Sequence, residues 1–173
     1  DDAAALRDKT AQLIKEYDAL AQSIFLDMFG DPVKNEKGWE KVSLNNLCEK
    51  IQIGPFGSQL HQADYTDFGI PLINPTNIKN GIIIPNFKLC VDRHKYDKLK
   101  EYHLKKGDII MGRRGEMGRC ALINDKEDGW FCGTGSLFIR LKTPNEILSF
   151  YFNEYLSSDS IKNFLQKESR GVT

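Results

Sequence analysis

The sequence has no apolar run approaching the ~18 residues of a membrane-spanning helix, and no membrane span is expected. It has no net charge, because 24 Lys and Arg balance 24 Asp and Glu over 173 residues. Taken whole, that neutrality argues against a polyanionic partner. It has four cysteines, Cys48, Cys90, Cys120 and Cys132, and no Cys-x-x-Cys. The nearest approach to a metal pair is Cys90-x-x-x-His94, with no second pair at ligand spacing, so no metal is expected. Buried free thiols in a reducing cytoplasm are the expectation. The first residues, Asp-Asp-Ala, carry neither a basic flank nor an apolar signal core, which also fits a cytoplasmic protein.

Catalytic signatures are missing too. There is no Gly-x-Ser-x-Gly, no Gly-x-x-x-x-Gly-Lys-[Ser/Thr], no His-Glu-x-x-His and no Gly-x-Gly-x-x-Gly. Gly133-Thr134-Gly135 feeds a strand rather than a helix start, so it is not expected to cradle a phosphate. Asp64 and Asp67 form a carboxylate pair, but nothing nearby guides it toward catalysis.

What is present is ordinary for a folded chain. Hydrophobic residues make up 40% and charged residues 28%, which excludes global disorder. The length suits one domain with an appendage. Charge is distributed unevenly. Residues 1–49 carry net −4, residues 50–91 net +1, residues 92–119 net +4 and residues 120–173 net −1. His94 and His103 also fall in the basic block. Local charge, rather than the total, steers an anionic partner. The alternative for this block is a solvated helix of mixed charge around residues 95–101.

Residues 3–29 read as one long helix. Leu6, Leu13 and Leu20 fall seven apart, with Thr10, Tyr17 and Ile24 at the other seam position, about three heptads in all. Phe25, Met28 and Phe29 thicken the stripe. Gly30 and the pair Asp31-Pro32 should end the helix near Phe29. A stripe of this length must be buried, either on its own domain or on an antiparallel partner helix. Residues 39–42 read as a strand, and Ser43 as the cap of one helical turn through Leu47. Short apolar runs follow at 51–53, 71–73, 82–84, 109–111, 121–123, 130–131 and 137–141, separated by Gly, Pro and Asn. They indicate a β-rich domain, with a helix at 92–102 inserted between strands. Helices close the chain at 144–157, with Pro144 at an early position, and at 159–168. Residues 170–173 carry no stop signal. The fold class is therefore α+β.

Three glycine-bearing loops gather polar and basic residues. The first is Gly54-Pro55-Phe56-Gly57-Ser58-Gln59-Leu60-His61. The second is Asn74-Pro75-Thr76-Asn77-Ile78-Lys79. The third is Gly112-Arg113-Arg114-Gly115-Glu116-Met117-Gly118-Arg119. Asn and Gln can pair with adenine and Arg with guanine, while Ser, Thr and Lys can hold phosphates. Each loop alone also fits a tight turn with a solvated tip. Together they point to nucleic acid. Arg113 and Arg114 are candidates for groove or phosphate contacts. Gln59, Asn74 and Asn77 are candidates for base edges, and Ser58, His61, Thr76, Lys79 and Arg119 for positioning.

The ordered segments resemble the target recognition domain of the specificity subunit of type I restriction–modification enzymes. The resemblance rests on 24–32 followed by Gly38-Trp39, on 54–60 with Asp64-Tyr65, on 69–78, on Lys106-Gly107-Asp108-Ile109-Ile110-Met111 and on 114–119. It covers nearly the whole chain. It implies a spacer helix over 1–30 and a recognition domain over 31–173. It implies a non-catalytic subunit that reads one half of a split double-stranded DNA target. The implied partners are the methyltransferase subunits and, later, the restriction (nuclease–translocase) subunit. S-adenosylmethionine, ATP and Mg are then expected on those partners and not on this chain.

The sequence departs from the full pattern in having one recognition domain and one helix. A C-terminal half, a natural half-subunit and a trimmed fragment all fit. Leu6, Leu13, Tyr17, Leu20 and Ile24 are then the expected helix interface, through which a homodimer can form. Rival readings are a helix-mediated protein-interaction module, an enzyme acting on nucleic acid, and a sugar-binding β-module. The last lacks a paired exposed Trp platform, since strand-like residues flank both Trp39 and Trp130.

Overall fold

A computed structural model of the protein describes residues 2–170; the expected chain end at 171–173 lies outside the described residues. The chain divides after Glu40 into two compact units. The α+β order expected from the sequence is present: a long helix, a β-rich middle and C-terminal helices.

The first unit is built on α1 (Asp2–Phe29). Its seam residues Leu6, Leu13, Tyr17, Leu20 and Ile24 are exposed, from 43% at Leu13 to 68% at Leu6 and Tyr17. Phe25 is buried, its ring 5.1 Å from that of Phe29. The helix ends where Gly30 enters the left-handed region at φ +77° and donates its N–H to Leu26 O at 2.8 Å, the αL stop that glycine permits. No basic residue lies in the last turn of α1. Lys37 supplies the charge instead, donating from Nζ to the carbonyls of Asp27 and of Met28, where the helix dipole favours a cation. Residues 39–42 do not form the expected strand. The Trp39 indole N–H turns back to Phe29 O at 2.8 Å, and the Trp39 backbone N–H donates to Asn35 Oδ1 at 2.9 Å.

The second unit begins with a single helical turn, α2 (Leu44–Leu47), running directly into β1 (Cys48–Ile53). Ser43 stands at the N-cap position, but its hydroxyl makes no capping bond. Then come β2 (Tyr65–Thr66), β3 (Ile70–Ile73), β4 (Ile78–Lys79), β5 (Ile82–Ile83) and β6 (Cys90–Val91). Helix α3 (Arg93–Lys98) is capped by the Asp92 carboxylate, which accepts the Lys95 N–H at 2.6 Å, and it passes into a 3-10 turn at Lys100–Tyr102. The remainder is β7 (Ile109–Gly112), β8 (Cys120–Leu122), β9 (Phe131–Cys132), β10 (Ser136–Leu141), α4 (Glu146–Ser157) and α5 (Asp159–Arg170). α4 starts at Glu146, so Pro144 precedes the helix instead of standing in its first turn; Asn145 is the cap, its Oδ1 accepting the Leu148 N–H at 2.8 Å.

One sheet has the order β1-β10-β7-β8 and is antiparallel throughout. A second has the order β2-β6-β3-β9, with β3 and β9 parallel; β4 and β5 form a hairpin. In the first sheet, strands β7, β8 and β10 are covered on both faces, while β1 leaves Ile51 and Ile53 exposed. Ile110, Ala121 and Phe138 join the core around Phe131, Leu72 and Ile73. Their neighbours Ile109, Met111, Cys120, Ile139 and Leu141 pack with Phe152, Leu156 and Ile161 of the C-terminal helices. Alternate side chains point to opposite faces, so covering both faces demands consecutive apolar residues, as in 109–111 of β7 and 137–139 of β10. Asp108, immediately before β7, is 1% exposed and is neutralised by Arg140, whose Nη2 lies 2.6 Å from Oδ2 and whose Nε lies 2.8 Å from Oδ1. All four cysteines are buried free thiols, as the sequence implied. Among the described residues no helix is long and apolar enough to cross a membrane.

Candidate nucleic-acid interface

The three polar loops come together at the C-terminal end of β3, and a fourth segment joins them. This is 133–136, the glycine pair before β10 together with Ser136, the first residue of that strand. Gly54 donates its N–H to Ser136 O at 2.9 Å, tying the first loop to the fourth. Asn74 Oδ1 accepts the Gly135 N–H at 2.9 Å, tying the second to the fourth. The Arg113 N–H donates to Gly135 O at 3.1 Å and Arg113 Nε to Thr134 O at 3.1 Å, tying in the third. The Arg119 guanidinium donates from Nη1 to Pro75 O at 3.3 Å and from Nε to Glu116 at 2.9 Å, linking third to second. The backbones are too close for side chains. A Cβ on Gly54 would stand 2.0 Å from Gly133 O, and one on Gly133 would stand 2.3 Å from Asn74 Oδ1.

These contacts sort the candidate residues by what their side chains hold. Gln59 is half-buried; its Oε1 accepts the Tyr102 hydroxyl at 2.8 Å, and its carbonyl accepts Lys95 Nζ at 3.0 Å. Asn77 is buried. Its Oδ1 accepts the Asn74 N–H at 3.0 Å and its Nδ2 donates to Ile84 O at 3.0 Å. The amides of Gln59, Asn74 and Asn77 are thus bonded within the domain, where the sequence alone pointed them at base edges. Asn77, buried with both ends of its amide bonded, has no donor left for a base; in half-buried Gln59 and Asn74 it is the side-chain oxygens that are engaged. Ser58, His61, Thr76, Lys79 and Arg114 are exposed. Arg114 sits in the left-handed region at φ +49°, and its side chain has no partner among the described residues. Lys79 stands beside a two-residue hairpin turn, Asn80-Gly81, in which both residues have positive φ, the geometry an Asn-Gly turn favours.

The first loop is braced from behind. Asp64 accepts the His61 N–H at 2.7 Å and pairs with Lys95 Nζ at 3.0 Å. The His61 bond, and then Lys95, hold its carboxyl below the ordinary value. Part of the basic block is therefore spent inside the domain. Lys95 braces this loop, Arg93 pairs with Asp97 at 3.2 Å, and Lys106 pairs with Asp125 at 2.9 Å. Among the described residues, no group of three or more His, Cys, Asp and Glu is arranged to hold a metal ion.

Sequence reasoning passed over four contributors. Phe56 is 61% exposed and lies under the Arg113 guanidinium, 5.8 Å from ring centroid to Cζ. Thr134 and Gly135 offer backbone groups to two loops, and Tyr102 holds Gln59. The glycine pair was the one visible signal; a close backbone approach also requires glycine, not only a phosphate.

The family model of the type I restriction modification DNA specificity domain matches residues 36–173. The chain is similar to a crystal structure of the HsdS subunit from Thermoanaerobacter tengcongensis, at 19% identity over 96% of this chain and 40% of that one, TM-score 0.55. It is also similar to the S subunit of a type-I restriction-modification system from M. genitalium, at 18% identity over 95% and 39%, TM-score 0.54. A chain from a structure describing complex assembly and conformational transition of the type I R-M system matches at 18% identity over 94% and 40%, TM-score 0.55. At such identities the likeness speaks for the fold. The chain spans about 40% of the length of these solved chains. No curated protein matches it.

Proposed function

The chain belongs to the type I restriction modification DNA specificity domain family, and we propose that its loop cluster reads one half of a bipartite double-stranded DNA target. The observation that carries this reading is the convergence of the four loops around Asn74, Arg113 and Gly135. Loops tied to each other through backbone groups present a fixed surface, and fixed geometry is what base readout requires. In this reading Asn74, Asn77 and Gln59 hold the loops. Arg113 faces the groove. Arg114, Lys79, Ser58, His61 and Thr76 face the phosphates and groove edge, and Arg119 keeps the second and third loops in register.

The chain supplies the address and its partners the chemistry. Methyltransferase subunits would carry S-adenosylmethionine, and the restriction subunit would carry ATP and Mg. The exposed stripe of Leu6, Leu13, Tyr17, Leu20 and Ile24 favours helix-to-helix contact, either with a spacer helix of the same subunit or with a second copy. Binding of duplex DNA by the assembled methyltransferase complex, measured over a salt series, tests the reading. Affinity should fall steeply with salt and should drop when Arg113 and Arg114 are both replaced by Ala. A complex whose affinity ignores both changes would refute it.

A further inference from the structure

Arg113 is held in a way that Arg114, beside it, is not. Its backbone N–H and its Nε are both anchored, on Gly135 O and Thr134 O at 3.1 Å each. One face of its guanidinium lies over the Phe56 ring, 5.8 Å from the centroid, within cation–π reach. Its two Nη groups have no partner among the described residues. One edge of the fork is therefore fixed, one face is covered, and the other edge is left to donate outward. An arginine ordered before its ligand arrives loses less freedom on binding. Phe56 is itself 61% exposed, so filling the core does not account for it.

The chemistry that matches such an edge is two acceptors side by side. Guanine offers them at O6 and N7, and a phosphate offers them on its oxygens. Phosphate contacts carry no sequence information and tolerate a mobile cation. Exposed Arg114 and Lys79 suit that task; an anchored, ring-stacked fork is wasted on it. We propose that Arg113 reads a guanine of the target, with Phe56 as the positioning residue of that contact. The proposal rests on the reading of the loop cluster as a DNA surface.

The test uses the full specificity subunit assembled with its methyltransferase and duplexes carrying its mapped target. Each guanine of the half-site is replaced in turn by 7-deazaguanine, which lacks the N7 acceptor. One replacement should weaken wild-type binding about tenfold and cost nothing further in the Arg113→Ala variant. Phe56→Ala should lose most of the discrimination between guanine and 7-deazaguanine, and Phe56→Tyr should restore it. A purely structural Phe56 would lower affinity on both duplexes alike. A half-site without guanine, or a 7-deazaguanine effect that persists in Arg113→Ala, overturns the proposal. So does Arg113→Ala weakening every duplex equally with a shallower salt dependence; that outcome makes Arg113 a phosphate contact and leaves the DNA reading intact. If Arg113→Ala, Arg114→Ala and Lys79→Ala all leave binding unchanged, the DNA reading itself fails.

Discussion

The Asn74 side-chain oxygen accepts the backbone N–H of Gly135 at 2.9 Å, across 61 residues of sequence. This bond closes the second loop onto the segment that also holds Arg113. Asn74→Ala would leave the Gly135 N–H without its partner in a half-buried setting. The expected cost is about 1–3 kcal/mol, read as a lower urea midpoint with an unchanged slope. Gly133→Ala should be at least as costly, since its Cβ would meet Asn74 Oδ1 at 2.3 Å. Wild-type stability in both variants would remove Asn74 from its role as the tie between loops.

Arg114 is exposed, where Asn74 is half-buried. In the assembled complex, Arg114→Ala should weaken binding by a similar factor on target and non-target duplexes. The slope of log affinity against log salt should become shallower by about one. A selective loss on the target alone would make Arg114 a base reader instead.

Asp64 links the first loop to Lys95 and is acid-sensitive. Its carboxyl is held below the ordinary value of 3.8 by the His61 N–H and then by Lys95. A depressed folded value means that the ionised form stabilises the fold. That contribution is complete above about pH 4 and is lost as pH falls further. Thermal unfolding of wild type and Asp64→Asn should therefore differ near neutrality and converge as pH drops below about 4. A gap that stays constant through this range would contradict the assignment.

The thiols should be inert while the domain is folded. Burial pushes the Cys120 thiol up to about 12 and raises Cys132 and Cys48 as well. Cys90 is fully buried. The thiolate is the reactive form, so alkylation at pH 8 should mark these cysteines only after denaturant is added. Rapid labelling of Cys132 in the native protein would mean that the core around it opens.

The elements legible in the sequence are those whose period is set by burial or whose ends are set by local chemistry. The runs at 109–111 and 137–141 read as strands because β7 and β10 are covered on both faces. The end of α1 was legible in Gly30 because the αL stop is a local property. Strands of two residues, such as Tyr65–Thr66 and Cys90–Val91, carry no period and were missed. Trp39 reads as a strand residue, but its indole N–H finds Phe29 O ten residues back. The loops were legible as a set because glycine, Asn and Arg concentrate there. The division of labour within them was not. Whether Gln59 meets a base or the Tyr102 hydroxyl depends on a partner 43 residues away, which no local pattern encodes.

The most direct measurement of the central claim is a map of methylated sites in cells expressing the full specificity subunit with its methyltransferase. It is made for the wild type and for a variant carrying the 54–61, 74–79 and 112–119 loops of a relative with a different target. The account predicts that one half of the bipartite target changes while the other half and the spacing stay the same. Methylation in the variant that retains both original halves would contradict it.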